Sequence, residues 1–128
     1  MTQVGKDTLG TRSTLTVEGK DYAYYSLAKA AEQLGDVSRL PFSLKVLLEN
    51  MLRFEDGGHT VSVDNAKEIA DRVNNPVTGG EIQYRPARVL LQDFTGVPCV
   101  VDLAAMRDAI KALGGDTQKI NPQVPVNL

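Results

Sequence analysis

In the stretch PFSLKVLLENMLRF the apolar residues Leu44, Leu47, Leu48, Met51 and Leu52 recur at i, i+3, i+4, i+7 and i+8. That is one face of a helix, predicted over Phe42 to Phe54, with Pro41 suited to its first turn and Gly57-Gly58 as its stop. A stripe of this kind has to be buried against a core. The same reasoning places a shorter helix after Ser26, where Leu27, Ala30, Ala31 and Leu34 share a face and Gly35 follows as the stop. A third helix is predicted from Val63 to Val73 on Ala66, Ile69, Ala70 and Val73, broken by Asn74-Asn75-Pro76 and continued as a loop through Thr78-Gly79-Gly80. A last one runs from Pro98 or Asp102 to Leu113 on Leu103, Met106, Ile110 and Leu113, with Gly114-Gly115 as its end.

Period-two and continuous apolar runs supply the strands. Thr14 to Val17 and Asp21 to Tyr25 are rich in β-branched and aromatic residues and flank Glu18-Gly19-Lys20, so they read as a short hairpin. Val89-Leu90-Leu91, bounded by Arg88 and Gln92-Asp93, reads as a strand buried on both faces. Pro122 and Pro125 force the end of the chain into an extended path, and Val124, Val126 and Leu128 look like the approach to another buried strand. No apolar period runs through the first dozen residues. Residues 1–12 are therefore expected to be a flexible arm, and 13–128 an α/β domain with a hairpin, several helices and a buried, parallel strand.

Composition narrows the class without naming a function. A chain of 128 residues with 42% hydrophobic and 23% charged positions can fold as one ordinary domain. No apolar run approaches the roughly 20 residues of a membrane span, and the polar start has no signal-like stretch, so the expected compartment is the cytoplasm and no membrane partner is expected. With 14 basic against 16 acidic residues, and the basic ones scattered, there is no general attraction for nucleic acid.

The chain has one cysteine and one histidine, which removes most catalytic constellations. Cys99 excludes an intrachain disulfide and cannot alone hold zinc or an iron-sulfur cluster; a small buried apolar filler is its simplest role. His59, beside Gly57-Gly58 and without a Cys or His partner, reads as a solvated loop residue. No phosphate-binding glycine motif is present, and Tyr24, Tyr25 and Phe42 read as packing residues instead of a base-stacking platform. Gln92 and Asp93 stand out, because the carboxyl end of a parallel strand is where open α/β sheets bind ligands. An amide such as Gln92 can donate and accept, and so could hold a carboxylate or hydroxyl of a small acid. Capping of the following helix is the alternative for Gln92, and the expected role of Asp93 and Thr95.

A resemblance carries the reading further. RPARVLLQDFTGVP, Arg85 to Pro98, continuing as VVDLAAMRDAIKALGGD to Asp116, resembles the first-domain signature of the aconitase group, which includes bacterial enzymes and the animal iron-regulatory proteins. LPFSLKVLLENMLR, Leu40 to Arg53, is similar to that group's early helix, and KINPQVPVNL to the segment entering its next strand. The resemblance implies a lyase that interconverts citrate and isocitrate through cis-aconitate with a [4Fe-4S] cluster, in the tricarboxylic acid cycle. It also implies a substrate hydrogen bond from the glutamine of QDFTG, which is Gln92 here. The family's Asp-His segment, cluster cysteines and serine base have no counterpart up to Leu128. The chain is thus expected to be the N-terminal part of such an enzyme, inactive and without a cluster by itself, and to need the remaining domains of the same polypeptide. Three other readings stay open: a methylcitrate-pathway dehydratase, an RNA-binding iron-responsive regulator, and a stand-alone binding module that keeps the fold.

Overall fold

The computed structural model describes residues 5–76 and 80–128, less the side chains of Asp93 and Thr95. The chain is α/β and divides into two compact units, Met1–Arg85 and Pro86–Leu128. The first unit contains the strands β1 (Arg12–Val17) and β2 (Lys20–Tyr25), followed by the helices α1 (Leu27–Leu34), α2 (Phe42–Phe54) and α3 (Val63–Asp71). The predicted hairpin is present, paired antiparallel from Arg12 opposite Tyr25 to Val17 opposite Lys20. Glu18 and Gly19 form its two-residue turn, both at positive φ (49° and 75°), the geometry that matches strand twist and that glycine adopts without strain.

The helices begin and end for local reasons. The Ser26 hydroxyl accepts the Lys29 N–H at 3.3 Å to start α1, and Gly35 closes it by donating to the Ala31 carbonyl. Helix α2 spans the predicted residues and buries Leu48, Met51 and Leu52, while Leu44 and Leu47 pack against the core from its edge. It ends at Phe54, before the expected glycines, because Glu55 and Asp56 turn the chain inward. Helix α3 opens with a reciprocal cap between Ser62 and Asn65 and buries Ala66, Ile69 and Ala70. It stops at Asp71, two residues short of Val73. Val77, Thr78 and Gly79 of the predicted loop lie outside the described residues.

Three carboxylates join these pieces. The Glu55 carbonyl accepts the N–H groups of Gly5 and Lys6, both at 2.9 Å, and its side chain accepts those of Thr8 and Gly57 at 3.0 and 2.7 Å. The Asp7 carboxylate accepts the N–H groups of Thr11 and Arg12 in turn. Residues 5–11, which the sequence pattern assigns to a loose arm, are therefore tied to the fold by hydrogen bonds, and Thr11 is fully buried. An apolar period is the wrong signal there, since polar contacts do the holding. Asp56, with its side chain sealed from solvent, accepts the Thr60 hydroxyl and N–H (2.6 and 2.9 Å) and the Val61 N–H (3.0 Å) and pairs with Arg85 at 3.3 Å. These contacts, Thr60's first, hold its carboxyl well below the ordinary carboxylate range. The Asn50 amide completes the join, donating to the Arg85 carbonyl at 2.7 Å and accepting the Arg85 N–H at 3.1 Å.

The second unit is a strand-helix-strand arrangement: β3 (Val89–Leu90), α4 (Asp93–Ala112), a 3-10 turn at Thr117–Lys119, and β4 (Val126–Asn127). Strands β3 and β4 are parallel, as the reading of Val89 to Leu91 requires. The burial expected of that strand is not found, since Leu90 is 80% exposed. Two strands and one helix supply no second layer to cover it. For the same reason the apolar positions of α4 do not pack into a core: Phe94, Val97, Val101 and Met106 are exposed, as is Leu113 just past its end, while Leu103 and Ile110 are partly covered. Helix α4 also starts at Asp93, ahead of the predicted Pro98 or Asp102. Pro98 lacks the N–H for the Phe94 carbonyl, but the proline φ is helical, so one lost bond near the amino end is tolerated. Its carboxyl end is as predicted, with Gly114 donating to the Lys111 carbonyl and Gly115 to that of Ile110.

Two outcomes follow for stability. Leu48→Ala should lower the unfolding free energy by about 2–5 kcal/mol in urea denaturation, because Leu48 is fully buried in the core of the first unit. Asp56 binds its proton less tightly folded than unfolded, so its stabilisation is complete at neutral pH and is lost as pH falls below about 4 toward the depressed folded value. Asp56→Asn should therefore be less stable than wild type at neutral pH, with a urea midpoint that falls less on acidification.

Candidate functional site

Strand β3 delivers Gln92 to the start of α4. Leu91 donates its N–H to the Asn127 carbonyl at 2.8 Å, which carries the parallel pairing one residue past β3. Gln92 follows in extended conformation (φ −78°, ψ 151°), and its carbonyl accepts the Gly96 N–H at 3.1 Å, the first intrahelical bond of α4. The backbone of Gln92 thus caps the helix while its side chain does not. The amide is exposed and makes no hydrogen bond among the described residues. It stands beside the amino end of a 20-residue helix, where backbone N–H groups and the helix dipole favour negative charge. This is a place where a small acid can be met by a neutral donor and acceptor and a positive dipole end.

Gly96, in the first turn of α4, is buried, and a Cβ there would come within 2.3 Å of the Leu128 side chain. A residue other than glycine would have to displace Leu128 from the helix turn next to Gln92. The carboxyl end of β4 therefore touches both sides of Gln92, through Asn127 at Leu91 and through Leu128 at Gly96. Arg88, just before β3, donates through Nη1 to the Asn127 side chain. Arg107 on α4 donates to the Ile120 carbonyl at 3.1 Å and to Asn121 Oδ1 at 2.7 Å, fastening the returning chain to the helix. The sequence pattern does not reveal Arg88 and Asn127 as partners, because they are far apart in the chain and meet only when the two strands pair.

The other candidates stay apart. His59 is exposed in the loop after Asp56. Cys99 is half-buried within α4, less covered than a core filler would be. The capping roles expected of the Asp93 and Thr95 side chains lie outside the described residues. Asp56, the carboxyl with the largest displacement, is fully engaged by Thr60, Val61 and Arg85, so the fold accounts for its shift. A cleft of about 420 Å³ in the first unit, between α2 and α3, is walled by Pro41, Leu44, Leu47 and Ile69, with the Glu68–Arg72 pair (3.9 Å) as its charged groups. Among the described residues no group of three His, Cys, Asp or Glu side chains is placed to hold a metal ion, and no helix is long and apolar enough to cross a membrane. A [4Fe-4S] cluster takes several thiolates, and this chain has one, on α4. Its residues do not fit that cofactor by themselves.

Comparison with known proteins identifies the family. The aconitase family (aconitate hydratase) profile matches residues 63–128, the stretch that carries β3, Gln92, α4 and β4. Aconitate hydratase A of Pseudomonas aeruginosa is 61% identical over 122 residues, 95% of this chain and 13% of its own length. The proteins of that name from Legionella pneumophila and Escherichia coli are both 58% identical, over 98% and 91% of this chain and 14% and 13% of their own lengths. The chain spans about one seventh of the length of these curated relatives. With the family pattern matched over more than half of the residues, the chain belongs to the aconitase family.

Proposed function

We propose that this chain is the N-terminal portion of a cytoplasmic aconitate hydratase, a hydro-lyase that interconverts citrate and isocitrate through cis-aconitate in the tricarboxylic acid cycle. The identity to proteins named Aconitate hydratase A, over more than nine tenths of this chain, is the observation that carries the reading. In that reading Gln92 hydrogen-bonds the substrate. Three features support the assignment: its position at the carboxyl end of a parallel strand, an amide with no protein partner among the described residues, and the adjacent amino end of α4. A neutral amide can accept from the substrate hydroxyl and donate to a carboxylate without adding charge to an already anionic ligand. The [4Fe-4S] cluster of such an enzyme, when bound, supplies Lewis-acid chemistry at the hydroxyl. Its ligands come from parts of the polypeptide beyond this chain.

Gln92→Ala in the full-length enzyme should lower kcat/KM by about 10- to 150-fold, the loss of one hydrogen bond to a charged group, with little change in stability. A variant within about twofold of wild type would remove Gln92 as a substrate residue. The 128-residue chain alone, incubated anaerobically with iron and sulfide, should acquire no visible iron-sulfur absorption. A band that survives Cys99→Ser would reveal a ligand set that this reading lacks.

A further inference from the structure

Gln92 is aimed by a very short ladder. Strands β3 and β4 pair at two positions, Val89 with Val126 and Leu90 with Asn127. Such a ladder specifies its register weakly, because a slip of two residues preserves the faces and exchanges few hydrogen bonds. Pro125, immediately before β4, accepts the Val89 N–H at 2.9 Å but has no N–H to return. Yet a slip of two residues would carry Gln92 about 6–7 Å along the strand, beyond hydrogen-bond reach of anything it now faces.

One side-chain pair distinguishes the observed register from its neighbours. Arg88 lies one residue before β3 and Asn127 at the end of β4, so their hydrogen bond runs diagonally along the ladder on one face. Asn127 also accepts the Leu91 N–H through its carbonyl. A single residue thus grips the chain as it enters β3, through a guanidinium, and as it leaves, one position before Gln92. We propose that Arg88 and Asn127 form a positioning pair that sets the register of β3 on β4 and thereby aims the Gln92 amide. The proposal rests on Gln92 being the substrate residue. It gives Arg88 a role through Gln92 and not on the substrate itself.

The test is a set of variants of the full-length enzyme. Arg88→Met and Asn127→Val should each lower kcat/KM by about tenfold, as expected for a misplaced binding group. Asn127→Asp keeps an acceptor for the guanidinium and should restore kcat/KM to within about twofold of wild type. In the Gln92→Ala background, Arg88→Met should add less than about twofold to the loss, because both changes remove the same amide contact. An additive loss would mean that Arg88 acts independently of Gln92, and would overturn the proposal. So would Arg88→Met and Asn127→Val enzymes of unchanged kcat/KM alongside a Gln92→Ala enzyme that is impaired, which would leave the substrate role of Gln92 standing. If Gln92→Ala is itself silent, the substrate role falls first and the positioning role with it. Should both apolar variants fail to fold while Asn127→Asp folds, the pair is a stability element and the inference is overturned.

Discussion

Two acidic residues buried side by side at the carboxyl end of α2, Glu55 and Asp56, determine how the first unit closes. Buried carboxylates are tolerated only where donors surround them. The Glu55 carboxylate draws its donors from Thr8 and Gly57, while its backbone carbonyl takes the N–H groups of Gly5 and Lys6. Asp56 draws its own from Thr60, Val61 and Arg85. Satisfying two charges thus requires three separate stretches of chain to converge on one helix end. Val61, brought in by that turn, is a fully buried core residue, and Ser62 beyond it caps α3.

The second unit is built on a different balance. Its elements are held by backbone and side-chain hydrogen bonds, from Val89 to Pro125, Leu91 to Asn127 and Arg107 to Asn121, while Phe94 and Leu113 remain more than four-fifths exposed. Burying those side chains takes a further layer, which a two-stranded sheet and one helix do not supply. The candidate site lies in this unit. Its precision therefore depends on directional contacts, which fix distances without a core beneath them. A two-pair ladder gives Gln92 a direction only if something selects its register, and the Arg88–Asn127 contact is placed to do so.

The chemistry of the site follows from what Gln92 does not do. A residue at the start of a helix often uses its side chain to satisfy the first N–H groups, and that use would leave little for a ligand. Here the backbone carbonyl takes the first helical bond and the amide stays outside it, at the positive end of α4. Such an arrangement suits an anionic, hydroxyl-bearing acid. The chain belongs to the aconitase family, and its relatives from Legionella pneumophila and Pseudomonas aeruginosa bear the name Aconitate hydratase A.

Elements stabilised by their own residues are legible in the sequence: α2 over its full length, the hairpin around Glu18-Gly19, the Ser26 cap of α1 and the glycine stop of α4. Each depends on neighbours within a few residues, which pattern and cap chemistry report directly. Gln92 stands out as a candidate mainly by resemblance, since the strand-end position alone also fits a capping residue. Contacts between distant residues leave no such trace. Residues 5–11 read as loose because Glu55, their partner, lies 47 positions beyond Thr8; α4 reads as shorter because a proline so often marks a helix boundary; Val89 to Leu91 reads as interior because an apolar run does not say how many layers will cover it. The sequence determined which segments become helix, strand and turn, because those choices are local. Only the tertiary structure decided which polar groups are shared across the chain, and so how Gln92 is held, because a hydrogen bond between Arg88 and Asn127 exists only once two strands have met.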